Sequence, residues 1–403
     1  MSDQKSNISG FFKLSDKERL KIVQDFSDLN EEEVSLIKEG FLKKETRATI
    51  SENILGSFSL PYSVATNFLI NGKDYFVPMV TEEPSVVAAA SYGAKLTRDG
   101  GGITAENLES LMIGQIYFTN LEAPQLFKDK ILENKEKIIS FANKQDLVLG
   151  SLGGGIKDLE VRLFEGEDIN SSLRVHLLID VKDAMGANII NLICEKTALF
   201  IEELAGVRAV LKILSNLASR RLVKVKVLVT KKALKREGFN TEKVIDNIVN
   251  INSIGKSDIY RAITNNKGVL NGMGAVSLAT GNDWRALEAG VYGYSAINNN
   301  QPLVNWKKTE EGLIGEMIVP VVAGTIGGII QSHPLSKISL KILKIKTAEE
   351  LSKIIASVGL VQNLAALRAL ASEGILKGHK EIIAKNVAIS IGIDKNKIKE
   401  VSR

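Results

Sequence analysis

Residues 159–163 read Leu159-Glu160-Val161-Arg162-Leu163, apolar and charged side chains in strict alternation. A period of two belongs to a strand with one face in a core and the other in water. The reading extends outward in both directions. Leu173–Asp180 is a second strand and Ile113–Phe118 an earlier one. Between them, Pro124–Lys144 has the spacing of one long amphipathic helix, with Leu126, Phe127, Ile131, Ile138 and Phe141 as candidate buried positions. Beyond Asp180, Ala184–Leu204 is helical by pattern and Val207–Leu214 reads as a last strand. The order β-α-β-β-α-β is that of a ferredoxin-like, split βαβ unit. Its first and last strands are neighbours in such a sheet, so its ends lie together, the condition for inserting one domain into another. Residues 109–221 therefore read as an insert. The chain is expected to be α+β, with a large mixed helix and sheet domain made from 1–108 and 222–374.

The flanks have a less regular rhythm. Ser15 and Glu18 form a capping box before Leu20, Ile22 and Val23, and Asn30 caps a second helix that Gly40 stops. Asn53–Pro61 and Tyr75–Pro78 read as short strands or loops. Pro84 suits the first turn of a helix that continues from Val86 to Leu96. Later come a strand at Val225–Thr230, helices at Thr241–Asn250 and Asp283–Val291, and a glycine-rich turn at Gly324–Gly328. Ala348–Ser357 and Gln362–Ser372 read as two helices. The Lys-rich stretch 375–403, set off by Gly374 and Gly378, reads as a small mobile C-terminal element.

With 403 residues, 44% hydrophobic and 25% charged, the chain is globular by composition and too long for one ordinary core. A formal charge of +5 suits an anionic ligand, but it is too small, and too interleaved with acids, to argue for nucleic acid. The single cysteine, Cys194, excludes an intrachain disulfide framework and the usual zinc clusters, so no metal is expected. Its apolar run, Ile189–Cys194, makes it a packing thiol. Met1–Gly10 is polar without a signal-peptide core, and no apolar run approaches the ~18 residues of a membrane span. A cytoplasmic protein without membrane contact is expected.

Several motifs mislead. Gly255-Lys256-Ser257 resembles the end of a phosphate loop, but Asn250 stands where the leading glycine belongs. Gly272-Met273-Gly274 opens like a dinucleotide fingerprint, yet its sixth position is Ser277, and it reads as a loop. His176 alternates along a strand, His333 precedes Pro334, and His379 follows Gly378 in the basic tail. Glu83 stands at a helix start, where a carboxylate complements the dipole or, if well shielded, keeps a proton. Lys267 lies in Asn265-Asn266-Lys267-Gly268, read as a polar loop. Asp283 lies in Gly281-Asn282-Asp283-Trp284-Arg285, where a helix cap is the simplest role. Spacing alone makes none of these catalytic.

Blocks in a fixed order carry more. They are Glu52-Asn53-Ile54-Leu55-Gly56, Pro78-Met79-Val80-Thr81-Glu82-Glu83-Pro84-Ser85, Asp183-Ala184-Met185-Gly186-Ala187-Asn188 and Ser215-Asn216-Leu217-Ala218. Asn266-Lys267-Gly268, Ala279-Thr280-Gly281-Asn282-Asp283-Trp284-Arg285-Ala286 and Glu373-Gly374-Ile375 through Gly378-His379 complete them. Over nearly its whole length the chain resembles the soluble, bacterial-type (class II) 3-hydroxy-3-methylglutaryl-CoA (HMG-CoA) reductases. The resemblance implies a large domain for the CoA thioester, an inserted NAD(P)-binding domain and a C-terminal flap. It also implies a homodimer, or an assembly of dimers, with active sites shared between subunits. The implied reaction is the four-electron reduction of HMG-CoA to mevalonate and CoA, through a hemithioacetal and mevaldehyde, or its reverse.

Roles follow from the same resemblance. Lys267 would face the oxygen that gains negative charge, with Asp283 hydrogen-bonded to Lys267 and the acid. Glu83 would deliver a proton, and His379 would protonate the departing CoA thiolate. Arg261 would pair with the free carboxylate of the substrate; Ser85 and Asn271 would bond the same acyl group, with Gln362 near it. Asp183, Met185, Gly186, Ala187 and Asn188, at the start of a helix, and Asn216 would meet the dinucleotide. Asp146 resembles the acid that some NADH-using members direct at the adenosine ribose, so NADH is expected over NADPH. The competing reading is a reductase of a different acyl-CoA on the same scaffold, in which Arg261 would lack a carboxylate to pair with.

Overall fold

The computed structural model describes residues 5–374 except 41, 167, 168 and 373. Its strands are, in chain order, β1 (Tyr62–Ile70), β2 (Lys73–Val80), β3 (Ile103–Ser110), β4 (Met112–Phe118) and β5 (Gly155–Gly166). They continue with β6 (Ile169–Asp180), β7 (Leu211–Leu214), β8 (Arg221–Thr230), β9 (Val304–Lys308) and β10 (Gly312–Pro320). Among the described residues they make two sheets, of order β2-β1-β3-β8-β10-β9 and β5-β6-β4-β7. The smaller sheet has the ferredoxin-like order, with every neighbouring pair antiparallel. The alternation quoted above is its β5: Leu159 is buried, and Glu160 between Leu159 and Val161 turns to the other face. The chain leaves the larger sheet at Ser110 and rejoins it at Arg221, two residues that face each other in the β3–β8 pair.

Several local readings need correction. Pro124–Lys144 is not one helix but two, Pro124–Glu133 and Lys135–Asn143. The break is Asn134, whose φ of −101° and ψ of 13° leave helical geometry while its side chain donates to the Lys130 carbonyl. Asparagine competes with the helix for backbone groups in this way. Phe127, Ile131 and Ile138 are buried, Leu126 is exposed, and Phe141 stacks on Phe200. The last strand of the smaller sheet spans only Leu211–Leu214. The capping box at Ser15 and Glu18, and the Asn30 cap ended by Gly40, form as the sequence predicts.

The larger core surrounds a single helix, Ala348–Ala371, where the sequence suggested two. Ser357 to Gln362 run through it without a break because they are buried on all sides. The intervening Gly359 admits a neighbour: a Cβ there would sit 2.8 Å from Met273 Cγ. This helix is long and apolar enough to cross a membrane, which the sequence reading passed over, but 83% of its apolar window is covered by the rest of the chain. It is a core helix, packed against β3 and β8 of the larger sheet.

Candidate active site

The helix Ile259–Ala279 carries Arg261, Lys267 and Asn271, so Lys267 stands on a helix and not in a loop. The polar neighbours that suggested a loop, Asn265 and Asn266, are both buried and bonded inward. Gly272-Met273-Gly274 is helical too. A Cβ on Gly272 would lie 2.8 Å from Val358 Cγ1, so that glycine lets the core helix approach and does not serve a phosphate. Gly255-Lys256-Ser257 ends another helix, Thr241–Ser257.

Against this helix lies the turn after β2. Glu83 donates its backbone N–H to Thr81 Oγ1, and Ser85 takes a left-handed backbone (φ 74°) to start the helix Val86–Thr97. Ser85, not Pro84, is the residue that begins this helix, and its hydroxyl makes no cap. The turn brings Glu83 Oε2 to 3.0 Å from Lys267 Nζ, joining residues 184 apart in sequence. In the single chain the lysine side chain is 56% exposed and the glutamate 44%. Arg261 is half-buried, and burial holds its guanidinium below the ordinary arginine value. Its Nη2 lies 3.5 Å from Asn265 Oδ1. Gln362 of the core helix is buried, and its Oε1 has no hydrogen-bond partner among the described residues.

Asp283 caps the helix Trp284–Ile297. It accepts from the backbone N–H groups of Arg285 and Ala286 at 3.0 Å each, and from Arg285 Nε at 3.4 Å. Within the chain its described bonds are to this helix end and not to Lys267. The carboxyl that feels the lysine charge from this helix is Glu288, which the sequence reading missed. Burial raises its pKa, and the nearby Lys267 ammonium offsets only part of that rise. Its one sequence signal is a charge in the middle of a helix that otherwise packs alanine, leucine and glycine inward. His379 lies outside the described residues.

The segment expected to meet a dinucleotide is held from three sides. Asp183 Oδ1 accepts from Ala348 N at 2.8 Å, and its carbonyl accepts from Thr325 N at 2.8 Å. Arg221, fully buried, donates to the carbonyls of Ala184, Met185 and Ala323. Burial pushes its pKa down to about 10, which leaves it cationic at neutral pH. A Cβ on Gly324 would lie 2.5 Å from Met185 N, so only glycine lets these two turns touch. Gly186 (φ 102°) then opens the helix Ala187–Ala205 without a side-chain cap. Asn216 is exposed, and its carbonyl lies 3.0 Å from the Cβ position of Gly290, on the Asp283 helix. Asp146 caps the short helix Leu147–Ser151 through Leu149 N at 2.8 Å. Arg220 pairs with Glu109.

Two histidines and the cysteine remain. His176 meets Gln115 within the smaller sheet, and burial lowers the pKa of both His176 and His333. Burial pushes the Cys194 thiol up to about 12, so it is an inert packing group.

The profile of the family described as "Hydroxymethylglutaryl-coenzyme A reductase" matches residues 15–384. A 3-hydroxy-3-methylglutaryl-coenzyme A reductase from Archaeoglobus fulgidus is 46% identical over 397 residues, covering 98% of this chain and 90% of that protein. A probable reductase of the same name from Borreliella burgdorferi is 38% identical, covering 82% and 75%. The fold is similar to a class II reductase of Streptococcus pneumoniae, solved bound to NADPH in open conformations. That match has a TM-score of 0.86 at 38% identity, over 90% of this chain and 99% of that one.

Proposed function

Because the chain belongs to the hydroxymethylglutaryl-coenzyme A reductase family, we propose that Lys267, Glu83, Asp283 and His379 carry its chemistry. The activity is the reduction of HMG-CoA to mevalonate and CoA, in two steps and with four electrons, a reaction of the mevalonate pathway. The observation that carries the residue assignment is the 3.0 Å contact between Lys267 and Glu83 on converging elements.

We read 109–221 as the NAD(P)-binding insert. The uncapped helix start at Gly186 fits it, because free N–H groups and the helix dipole favour a pyrophosphate. When bound, the reduced nicotinamide supplies two hydrides in succession, one to the thioester and one to the aldehyde. Each addition leaves negative charge on the former carbonyl oxygen, and the Lys267 ammonium stabilises it as it develops. As a carboxylate Glu83 holds that ammonium in place, and in its protonated form, recharged from solvent, it would hand a proton to the oxygen. Collapse of the hemithioacetal re-forms a carbonyl and breaks the C–S bond, and His379 gives the departing CoA sulfur its proton. The guanidinium of Arg261 binds the distal carboxylate. Ser85 and Asn271 bond the acyl group, and the unpaired Gln362 Oε1 is an acceptor for its hydroxyl.

The half-exposed Lys267–Glu83 pair calls for further walls, and a second copy of the chain is the reading that supplies them. Leu55, Phe58 and Tyr260 stand fully or largely exposed on the single chain, the kind of apolar surface a homodimer covers. In that assembly Asp283 approaches a lysine across the interface. A cytoplasmic location accompanies this reading. For the cofactor, Asp146 favours NADH, because a carboxylate accepts from a ribose hydroxyl and repels a 2′-phosphate. Assay with HMG-CoA and each reduced cofactor tests these points. Oxidation of two nicotinamides per HMG-CoA, faster with NADH at equal concentration, is expected. Inactivity on HMG-CoA would overturn the reading, and a strong NADPH preference would overturn its cofactor part.

A further inference from the structure

A line of buried amides runs behind the face of the helix that carries Arg261 and Lys267. Trp306 Nε1 donates to Asn363 Oδ1 at 2.8 Å, and Asn363 Nδ2 donates to Asn265 Oδ1 at 2.9 Å. Asn265 Nδ2 reaches Asn266 Oδ1 at 3.4 Å, and Asn266 Nδ2 donates to Ser295 Oγ and to the Gln301 carbonyl at 3.1 Å each. Trp306, Asn363, Asn265 and Asn266 are all at most 3% exposed. Buried amides are costly unless satisfied, and here each is bonded at both ends.

The line has a direction. An indole N–H only donates, so Asn363 must turn its oxygen toward Trp306. That leaves Asn363 only its amino group for Asn265, which must answer with its own oxygen. From the opposite end the Leu303 backbone N–H, also a pure donor, fixes the Asn266 oxygen at 2.9 Å. Both ends therefore force the Asn265 oxygen to the side where Arg261 Nη2 lies, 3.5 Å away. A flipped Asn265 would present an amino group to a guanidinium.

We propose that Trp306, Asn363 and Asn265 are positioning residues for Arg261. They fix one acceptor against the guanidinium, and so aim its remaining N–H groups at the distal carboxylate of the substrate. This rests on the assignment of that carboxylate to Arg261. The alternative is that the amides only hold the core together.

The test uses the full-length enzyme with two competitive probes, free 3-hydroxy-3-methylglutarate and CoA. Trp306→Phe removes the one-way donor, at the cost of a cavity in the core where the indole packs against Gly315, and Asn363→Leu removes the middle link. Each should weaken inhibition by the free acid about tenfold, the effect of a hydrogen bond to a charged group. KM for HMG-CoA should rise more than kcat falls, and inhibition by CoA should hold. In an Arg261→Ala background, Asn363→Leu should add nothing further. Parallel weakening of both probes, or full additivity with Arg261→Ala, would overturn the relay in favour of a purely structural role. If Arg261→Ala itself leaves inhibition by the free acid unchanged, the carboxylate assignment is wrong and the inference goes with it. Should Asn363→Leu fail to fold, Trp306→Phe decides the question alone.

Discussion

Asp74 shows how single charges tie the chain together. It accepts from the backbone and hydroxyl of Ser6 and from both terminal nitrogens of Arg98. Burial pushes its carboxyl up, but the Arg98 guanidinium and Ser6 outweigh that, and the net pKa lies below the ordinary aspartate value. A depressed folded pKa means stability that is present above the unfolded value and lost as pH falls through the folded one. Asp74→Asn should therefore cost about 2 kcal/mol at neutral pH. Urea unfolding at several pH values should show the gap between variant and parent closing in acid, and a pH-independent gap would contradict this account. At Asp146, replacement by Ser should move the rate ratio toward NADPH, checked by initial rates with both cofactors; an unmoved ratio would remove the residue from cofactor choice. Residue by residue, the sequence was legible where local chemistry acts alone. Asp283 as a cap and Cys194 as a buried thiol needed only their neighbours. The raised pKa of Glu288 was not legible, because it comes from burial against other elements, offset in part by a lysine on another helix.

At the scale of elements, the errors on the Lys267 helix and the core helix share one cause, unlike the local break at Asn134. Asn265-Asn266-Lys267-Gly268 has the composition of a loop, yet the asparagines are buried partners of Asn363 and Ser295, and tertiary bonds keep the segment helical. Gly272 and Gly359 look like breaks but are contact points where the Lys267 helix and the core helix meet. Glycine in a helix costs stability by itself and is retained where a neighbour fills the space. Two substitutions separate these cases. A Cβ on Gly93, in Val86–Thr97, would sit 2.1 Å from the Val361 carbonyl oxygen, a backbone atom that cannot swing away. Gly93→Ala should destabilise by about 3 kcal/mol. Among the described residues Gly268 has nothing within 4 Å, so Gly268→Ala should stabilise the fold by about 0.5–1 kcal/mol through helix propensity alone. Thermal melts of both variants check the pair, and similar shifts in one direction would refute the distinction.

For the whole molecule, the alternation of strand and helix patterns was enough to read the ferredoxin-like order of the smaller sheet. Ser110 and Arg221, the residues that flank it in sequence, face each other in the larger sheet. What the sequence could not show is that the two sheets are locked through the Asp183–Gly186 turn. Arg221, Gly324 and the start of the core helix all converge on it. Separately, the Asn216 carbonyl lies 3.0 Å from the Cβ position of Gly290, on the helix that carries Asp283. Lys267 sits across from that helix, facing Glu83, and the account stands on the ammonium it presents there. The direct measurement is the oxidation rate of the reduced cofactor with saturating HMG-CoA, for the parent enzyme and Lys267→Ala, each with its thermal midpoint. Lys267 belongs to none of the apolar cores, so the midpoint should hold while kcat falls by about a hundredfold or more. A folded Lys267→Ala enzyme that turns over HMG-CoA at close to the parent rate would contradict the account.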